Sequence, residues 1–234
     1  MLVGVDFEKI QFVLFGLNLT EPMAFITDSL LFIISLILAF LLNNVKSNHP
    51  VKTYWIWFFI VFGVGAFLGG IGHTFVNYLG IGGKFPSWLA GPISIYLLEQ
   101  GVIAAHTDEN KLSFFKIISF WKMIFVYVAF GLVYYFAPVD RVFELPFLPI
   151  AINTVVGVIL TAGFLANSYR QKLDPSYKYM IFGVLVLLPT AFIFLLKINI
   201  NPWFDKNDFS HVLMAIGIIL FYLGVKKTLL KLKV

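Results

Sequence analysis

Cysteine is absent from the chain. That excludes disulfides, thiolate metal ligands and a cysteine nucleophile. Charge is scarce as well: Asp, Glu, Lys and Arg make up 12% of the 234 residues, against 60% hydrophobic ones, far from the soluble balance. Long linkers, low-complexity tails and polar stretches of domain length are missing. The N-terminus does not read as a signal peptide, because Asp6, Glu8 and Lys9 precede only a short apolar stretch at 10–17 with no cleavage-like ending. That stretch is too short to span a bilayer. Residues 1–20 are therefore expected to form an interfacial helix or to pack as a lid.

What is present is a series of apolar runs of about 20 residues each, the length that crosses a hydrocarbon core. Seven helices are expected, at 22–43, 54–79, 87–105, 112–136, 146–168, 177–196 and 209–229. Turn signals separate them, among them Gly82/Gly83, Pro138/Asp140 and Asn201/Pro202. The fold class is thus all-α, an integral membrane bundle of seven transmembrane helices in a single domain over 21–234. Trp55, Trp57, Trp88 and Trp203 fall near the expected interfaces, as in an aromatic belt.

The net charge of +5 is no nucleic-acid signature, since the basic residues sit in connections and at the C-terminus. Alternate connections divide them unevenly. One side carries eleven, at Lys46, Lys52, Lys111, Lys116, Arg170, Lys172, Lys178, Lys226, Lys227, Lys231 and Lys233; the other has five, at Lys9, Lys84, Arg141, Lys197 and Lys206. The richer side reads as cytoplasmic, which puts the N-terminus outside.

Three polar clusters interrupt the outer ends of the spans: Glu21/Asp28, His73/Asn77 and Asn207/Asp208/His211. Ionisable groups in lipid are costly, and each is a functional-site hypothesis by default. With a rise of about 1.5 Å per residue, Asp28 and His73 each lie roughly 9 Å below the outer surface. Gly65-x3-Gly69 is a small-residue pattern that lets a neighbouring helix approach close to His73. Two imidazoles and a carboxylate are the ligand set of a catalytic zinc site with an open position for water. His73 and His211 are the candidate ligands, with Asp28 or Asp208 as third ligand or base and Glu21 in the outer shell. Asn77, Asn153 and Asn207 are candidates for the pocket wall. Asp208 reads equally as a helix cap, His211 as an interhelical hydrogen-bonding residue, and the whole set as a structural network without metal.

Glu21-Pro22 followed by Thr27-Asp28, then Gly69-Gly70-x2-His73, then Asp208-x2-His211, resembles an uncharacterised bacterial seven-helix membrane family. That family looks distantly similar to the membrane hydrolase superfamily of alkaline ceramidases and progestin/adipoQ receptors, whose layout matches most of the chain. The resemblance implies a bacterial cytoplasmic-membrane protein that hydrolyses a lipid amide or ester with bound zinc. Three positions depart from the superfamily pattern. Its serine four residues before the second-helix histidine falls on Gly69, and its His-x3-His on the seventh helix is incomplete, with Asn207 and Ala215 flanking His211. Its third-helix aspartate has no counterpart, so Asp28 would substitute from the first helix.

Glu99 and Lys122 sit at similar depth on adjacent spans and are expected to pair. His106, Asp108 and Glu109 form a solvated turn. Lys226 and Lys227 lie at the cytoplasmic end of the last span, too shallow for a retinal Schiff base. The expected partners are membrane lipids and a lipid substrate, with no nucleic acid. The competing expectation is a non-enzymatic receptor, sensor or carrier that binds a lipid or small polar ligand in the same pocket.

Overall fold

The computed structural model describes residue 4 and residues 6–231. Lys233, expected to rest against lipid headgroups, lies outside the described residues. The chain opens with a two-stranded antiparallel hairpin, β1 (Gln11–Leu14) and β2 (Leu17–Thr20). Seven long helices follow: α1 (Pro22–Asn43), α2 (Pro50–Thr74), α3 (Phe85–Ile103), α4 (Glu109–Phe136), α5 (Phe147–Lys172), α6 (Lys178–Leu195) and α7 (Lys206–Lys231).

The hairpin corrects the expectation of an interfacial helix at the N-terminus. Phe15 and Gly16 both take positive φ, 50° and 77°, which makes a tight two-residue turn whose twist suits paired strands. Across it Phe12 pairs with Leu19, Val13 with Asn18 and Leu14 with Leu17. An eight-residue apolar stretch cannot be assigned to helix or strand by periodicity alone.

Helix starts follow local chemistry. Pro22 and Pro50 occupy first-turn positions, where a missing N–H costs nothing. Asp108 caps α4 by accepting from the amides of Asn110 and Lys111. By contrast, α2 ends at Thr74 rather than near 79. Its chain turns at Phe75, makes one short helical turn over Val76–Leu79 and a 3-10 turn over Gly80–Lys84, then folds back against α2.

Among the described residues six helices are long and apolar enough to cross a membrane: α1, α2, α4, α5, α6 with its preceding turn, and α7. The seventh, α3, has 19 residues and carries Ser94, Glu99 and Gln100, all buried against its neighbours. A helix enclosed by others need not be as apolar as one that faces lipid. The order of packing is α7–α1–α2–α3–α5–α6 and back to α7, with α4 laid outside α3 and α5. In the most apolar 18-residue stretch of α4 only 17% is buried, and most of the helix's Phe and Tyr residues face outward.

Between apolar helices in lipid, close fit matters more than hydrophobicity. Two glycine rows on α2 supply that fit. A Cβ on Gly63 or Gly70 would press on α1, at Ser35 and at Phe25 and Asp28; one on Gly65 or Gly69 would press on α3, at Ala90 and Ser87. The apolar core lies toward the opposite end of the bundle, around Trp55, Phe59, Leu98 and Phe221. Trp55 and Trp88 are buried there and in a smaller satellite core, so of the four expected belt residues only Trp57 and Trp203 are exposed.

Candidate functional site

Glu21 is the last residue before α1 and sits in the left-handed region, with φ 49° and ψ 58°. A non-glycine residue there costs roughly 1–3 kcal/mol, and such strain clusters at functional sites. Its carboxylate does not cap the helix it precedes. Instead Oε2 lies 2.7 Å from His73 Nδ1, and Oε1 pairs with the Lys9 ammonium. Burial works to raise the Glu21 pKa, but the hydrogen bond with His73 and the charge of Lys9 outweigh it and hold it at about 2.

A second chain of polar groups lies beside the first. Asp28 is buried on α1, with Oδ1 3.4 Å from His211 Nε2 on α7. Its other oxygen faces α2, in the space left by the missing side chain of Gly69. Ser87, at the start of α3, points its hydroxyl into the same space. The other ring nitrogen of His211, Nδ1, is 2.8 Å from Thr27 Oγ1, which is also 3.1 Å from Asp208 Oδ1. A hydroxyl has one hydrogen, so Thr27 links the two by donating to the Asp208 carboxylate and accepting from a protonated His211 Nδ1.

The cap of α7 is Asp205, which accepts from the amide of Asn207 at 2.7 Å. Asp208 Oδ2 accepts in return from the Asp205 amide at 3.1 Å, the reciprocal arrangement of a capping box. Asp208 therefore both closes the helix end and reaches the site through Thr27.

Lys84 was counted above only for orientation, and its position is the largest addition the structure makes. Its ammonium lies 3.0 and 3.1 Å from the two ring nitrogens of His73. Burial, against the pull of Glu21, pushes the Lys84 pKa down to about 8. The backbone explains the placement: a Cβ on Gly72 would sit 2.4 Å from the Gly83 carbonyl oxygen, so only glycine lets the Gly80–Lys84 turn lie on α2 beside His73. The signal in sequence was Gly72 directly before His73 together with Gly82-Gly83 before Lys84.

Residues 6–20 strap the end of the bundle at which these groups lie. Asp6 pairs with Lys197 and Lys206, and Lys9 with Glu21 and Asp205. Thr20 Oγ1 donates to the His73 carbonyl at 2.7 Å, and the Asn18 amide to Tyr78 Oη at 2.9 Å. Between strap and bundle lies a cavity of about 20 Å³, reached by Lys9, Glu21, Trp203 and Asp208, room for about one water molecule.

Glu21, Asp28, His73, Asp208 and His211 thus gather at one end of the bundle, as expected. The three asparagines do not join them in the same way. Asn77 lies beyond the end of α2 and donates to the Asn18 carbonyl at 3.1 Å, so it anchors the hairpin. Asn207 turns to Asp205 in the cap of α7. Asn153 is buried on α5 with neither amide atom hydrogen-bonded among the described residues. Glu99 and Lys122 do pair, with Ser119 donating to the second carboxylate oxygen, against the bare backbone of Gly157.

Among the described residues no three His, Asp or Glu side chains converge to hold a metal ion. His73 faces an ammonium and a carboxylate, and His211 faces a hydroxyl and a different carboxylate, so the two imidazoles belong to separate pairs. In this arrangement the residues do not form a zinc sphere.

Residues 23–230 match a family of unknown function, DUF6962. The chain belongs to that family. No curated protein matches it, and no solved structure does. The family's match begins just after the strap and ends near the close of α7, so it takes in the whole bundle and every site residue except Glu21 and Lys9.

Proposed function

We propose that the chain spans a bacterial cytoplasmic membrane with its N-terminus outside, and that the polar centre at its outer end hydrolyses a lipid amide or ester. The observation that carries the reading is the meeting of two carboxylate–imidazole pairs, Glu21–His73 and Asp28–His211, with the Lys84 ammonium beneath a polar strap. A carboxylate-paired imidazole is suited to take a proton from water. The hydroxide so formed adds to the carbonyl carbon, and an ammonium held out of bulk water stabilises the oxyanion. Collapse breaks the C–N or C–O bond. The proton returns to the leaving amine or alkoxide, giving a carboxylic acid and an amine or alcohol.

No step of this scheme runs through a metal. A zinc-dependent version of the reading requires His73 to leave Lys84 and Glu21 and to turn toward His211 and Asp28. Elemental analysis of the detergent-purified protein beside a His73→Ala/His211→Ala double variant separates the two versions. Near-stoichiometric zinc, lost in the variant, establishes the metal; no bound zinc after zinc addition removes it.

The test of hydrolysis is turnover of amide- and ester-linked lipids by the parent and by Asp28→Asn and Thr27→Val. Loss of at least about a hundredfold in Asp28→Asn, the scale of one acid–base group, supports the reading. Full turnover in that variant sinks it. The second reading, binding without chemistry, is favoured by the engagement of both imidazoles, His73 with Glu21 and Lys84 and His211 with Asp28 and Thr27: its signature is a lipid that raises the melting temperature and is recovered unchanged.

A further inference from the structure

At the end of the bundle opposite the polar centre, the last turn of α1 and the first turns of α2 enclose an open groove of about 430 Å³. We propose that this groove holds one anionic phospholipid of the leaflet on that side. The proposal rests on the helices crossing the membrane but not on any chemistry at the outer centre.

The lining changes character along the helix axis. Asn43, Lys52 and Thr53 line the mouth, while Ile56, Trp57 and Ile60 line the part further into the span. Lys52, Ile56 and Ile60 are spaced four residues apart, so they form one stripe up a face of α2, and Thr53 and Trp57 form the next. That gradient matches a molecule lying alongside the helix, with a polar head at the mouth and a chain against the isoleucines. Trp57 is 53% exposed at the boundary, where an indole ring suits the region between headgroup and acyl chain.

The charge at the mouth selects the head. Among the described residues no acidic side chain lines the groove, whose mouth also takes in Ser47, Asn48 and His49 of the turn between α1 and α2. Lys52 Nζ donates to the Val45 carbonyl at 2.9 Å, which fixes the ammonium at the rim and leaves two of its three hydrogens for an anion. The mouth also lies at the N-terminal end of the 25-residue α2, the positive end of its dipole. Together these favour a head whose phosphate diester carries no cation of its own over a zwitterionic one. A basic recess between membrane helices is a recurring form of headgroup site. A free phosphate would use the lysine but not the apolar stripe, and the stripe is why the occupant is a lipid.

The experiment is native mass spectrometry of the full chain in detergent, titrated with phosphatidylglycerol, with phosphatidylcholine, and with phosphatidylglycerol against excess inorganic phosphate. The parent is expected to retain one phosphatidylglycerol in preference to phosphatidylcholine. Lys52→Gln should lower that preference about fivefold, the worth of about one lysine beside an anionic lipid surface. Lys52→Arg should keep it. Lys46→Gln, which removes an exposed charge outside the groove, should leave it unchanged. Ile60→Trp, which fills the apolar part while keeping the lysine, should reduce retention of both lipids. Unaltered preference in Lys52→Gln overturns the proposal. An equal loss in Lys46→Gln also overturns it, because diffuse attraction then suffices. Displacement of phosphatidylglycerol by the excess inorganic phosphate would make this an anion site and overturn the lipid assignment. Should Lys52→Gln not fold, unchanged retention by Ile60→Trp overturns the proposal by itself.

Discussion

A methyl group on Gly72 would sit 2.4 Å from the carbonyl oxygen of Gly83, closer than real contacts allow, and the obstacle is backbone and not a flexible side chain. Gly72→Ala is therefore expected to push the Gly80–Lys84 turn off α2 and carry Lys84 away from His73. The cost should be about 1–3 kcal/mol, the range for forced overpacking, together with loss of any turnover that uses the Lys84 ammonium. Gly82→Ala, in the same turn with nothing within 4 Å of its added Cβ, is the control and should melt within about 0.5 kcal/mol of the parent, as surface changes do. Comparable melting of the two variants would show that the turn is not braced by Gly72. At this scale the sequence was partly legible. Five ionisable residues in otherwise apolar spans declared themselves by their cost in lipid. Lys84 did not, because a lysine between two spans is indistinguishable from an orientation charge until the backbone shows it folded inward. Thr27 and Ser87 were hidden for a similar reason: a hydroxyl in a membrane helix can bond its own preceding turn at little cost, so its presence carries no signal.

The strap lies over the end of the bundle that holds the centre and is tied to it by ion pairs and hydrogen bonds. Surface ion pairs are each worth little, yet four of them converge on residues 6–9, and the hairpin adds hydrogen bonds to Tyr78 and His73. Burial works to raise the Asp6 pKa, but hydrogen bonds from Lys197 and Lys206 overcome it and hold it at about 2 against a usual 3.8. A depressed carboxylate pKa contributes stability that is present above the unfolded value and lost as pH falls through the folded one. Asp6 should thus tether the strap fully above about pH 4 and release it between about pH 4 and 2. Hydrogen exchange of the amides at 11–20, corrected for intrinsic rates, reads this out. Asp6→Asn at pH 7 is expected to speed their exchange about two- to fivefold, the scale of exposed ion pairs. Exchange identical to the parent would mean that the hairpin's hydrogen bonds hold the strap without Asp6. Element boundaries show where sequence reading ran out. The seven long helices follow from hydrophobic runs, and α1 was placed at both ends because Pro22 and Asn43-Asn44 mark them. The end of α2 was placed too late, since Val76–Leu79 is apolar and helical in pattern while the break at Phe75 is forced by tertiary packing of the following turn. The hairpin was missed because strand and helix look alike over eight residues.

At the scale of the whole molecule, charge asymmetry decides which way the bundle faces, and with it which compartment the polar centre meets. Six of the helices are long and apolar enough to span, and the polar centre and the lipid groove lie at opposite ends of α2. If the side with eleven basic residues is cytoplasmic, the centre draws its substrate from the outer leaflet and the groove draws its lipid from the inner one. The absence of cysteine makes this directly measurable, because a single introduced thiol is the sole target for a maleimide. Asn110 lies in the exposed first turn of α4 on the basic side, and Asp140 lies in the exposed turn between α4 and α5 on the other. A membrane-impermeant maleimide applied to intact cells should label Asp140→Cys and leave Asn110→Cys unlabelled until the membrane is permeabilised. The reverse pattern would invert the molecule, place the Lys84 centre at the cytoplasmic face, and turn the search for its substrate toward lipids made or remodelled there. Labelling of both in intact cells would mean that the six long helices do not form a sealed span between these two turns. The predicted pattern follows from a principle that acts during insertion, when basic residues near the ends of spans resist translocation. It therefore stands independently of the site chemistry, and the chemistry in turn depends on it for its substrate.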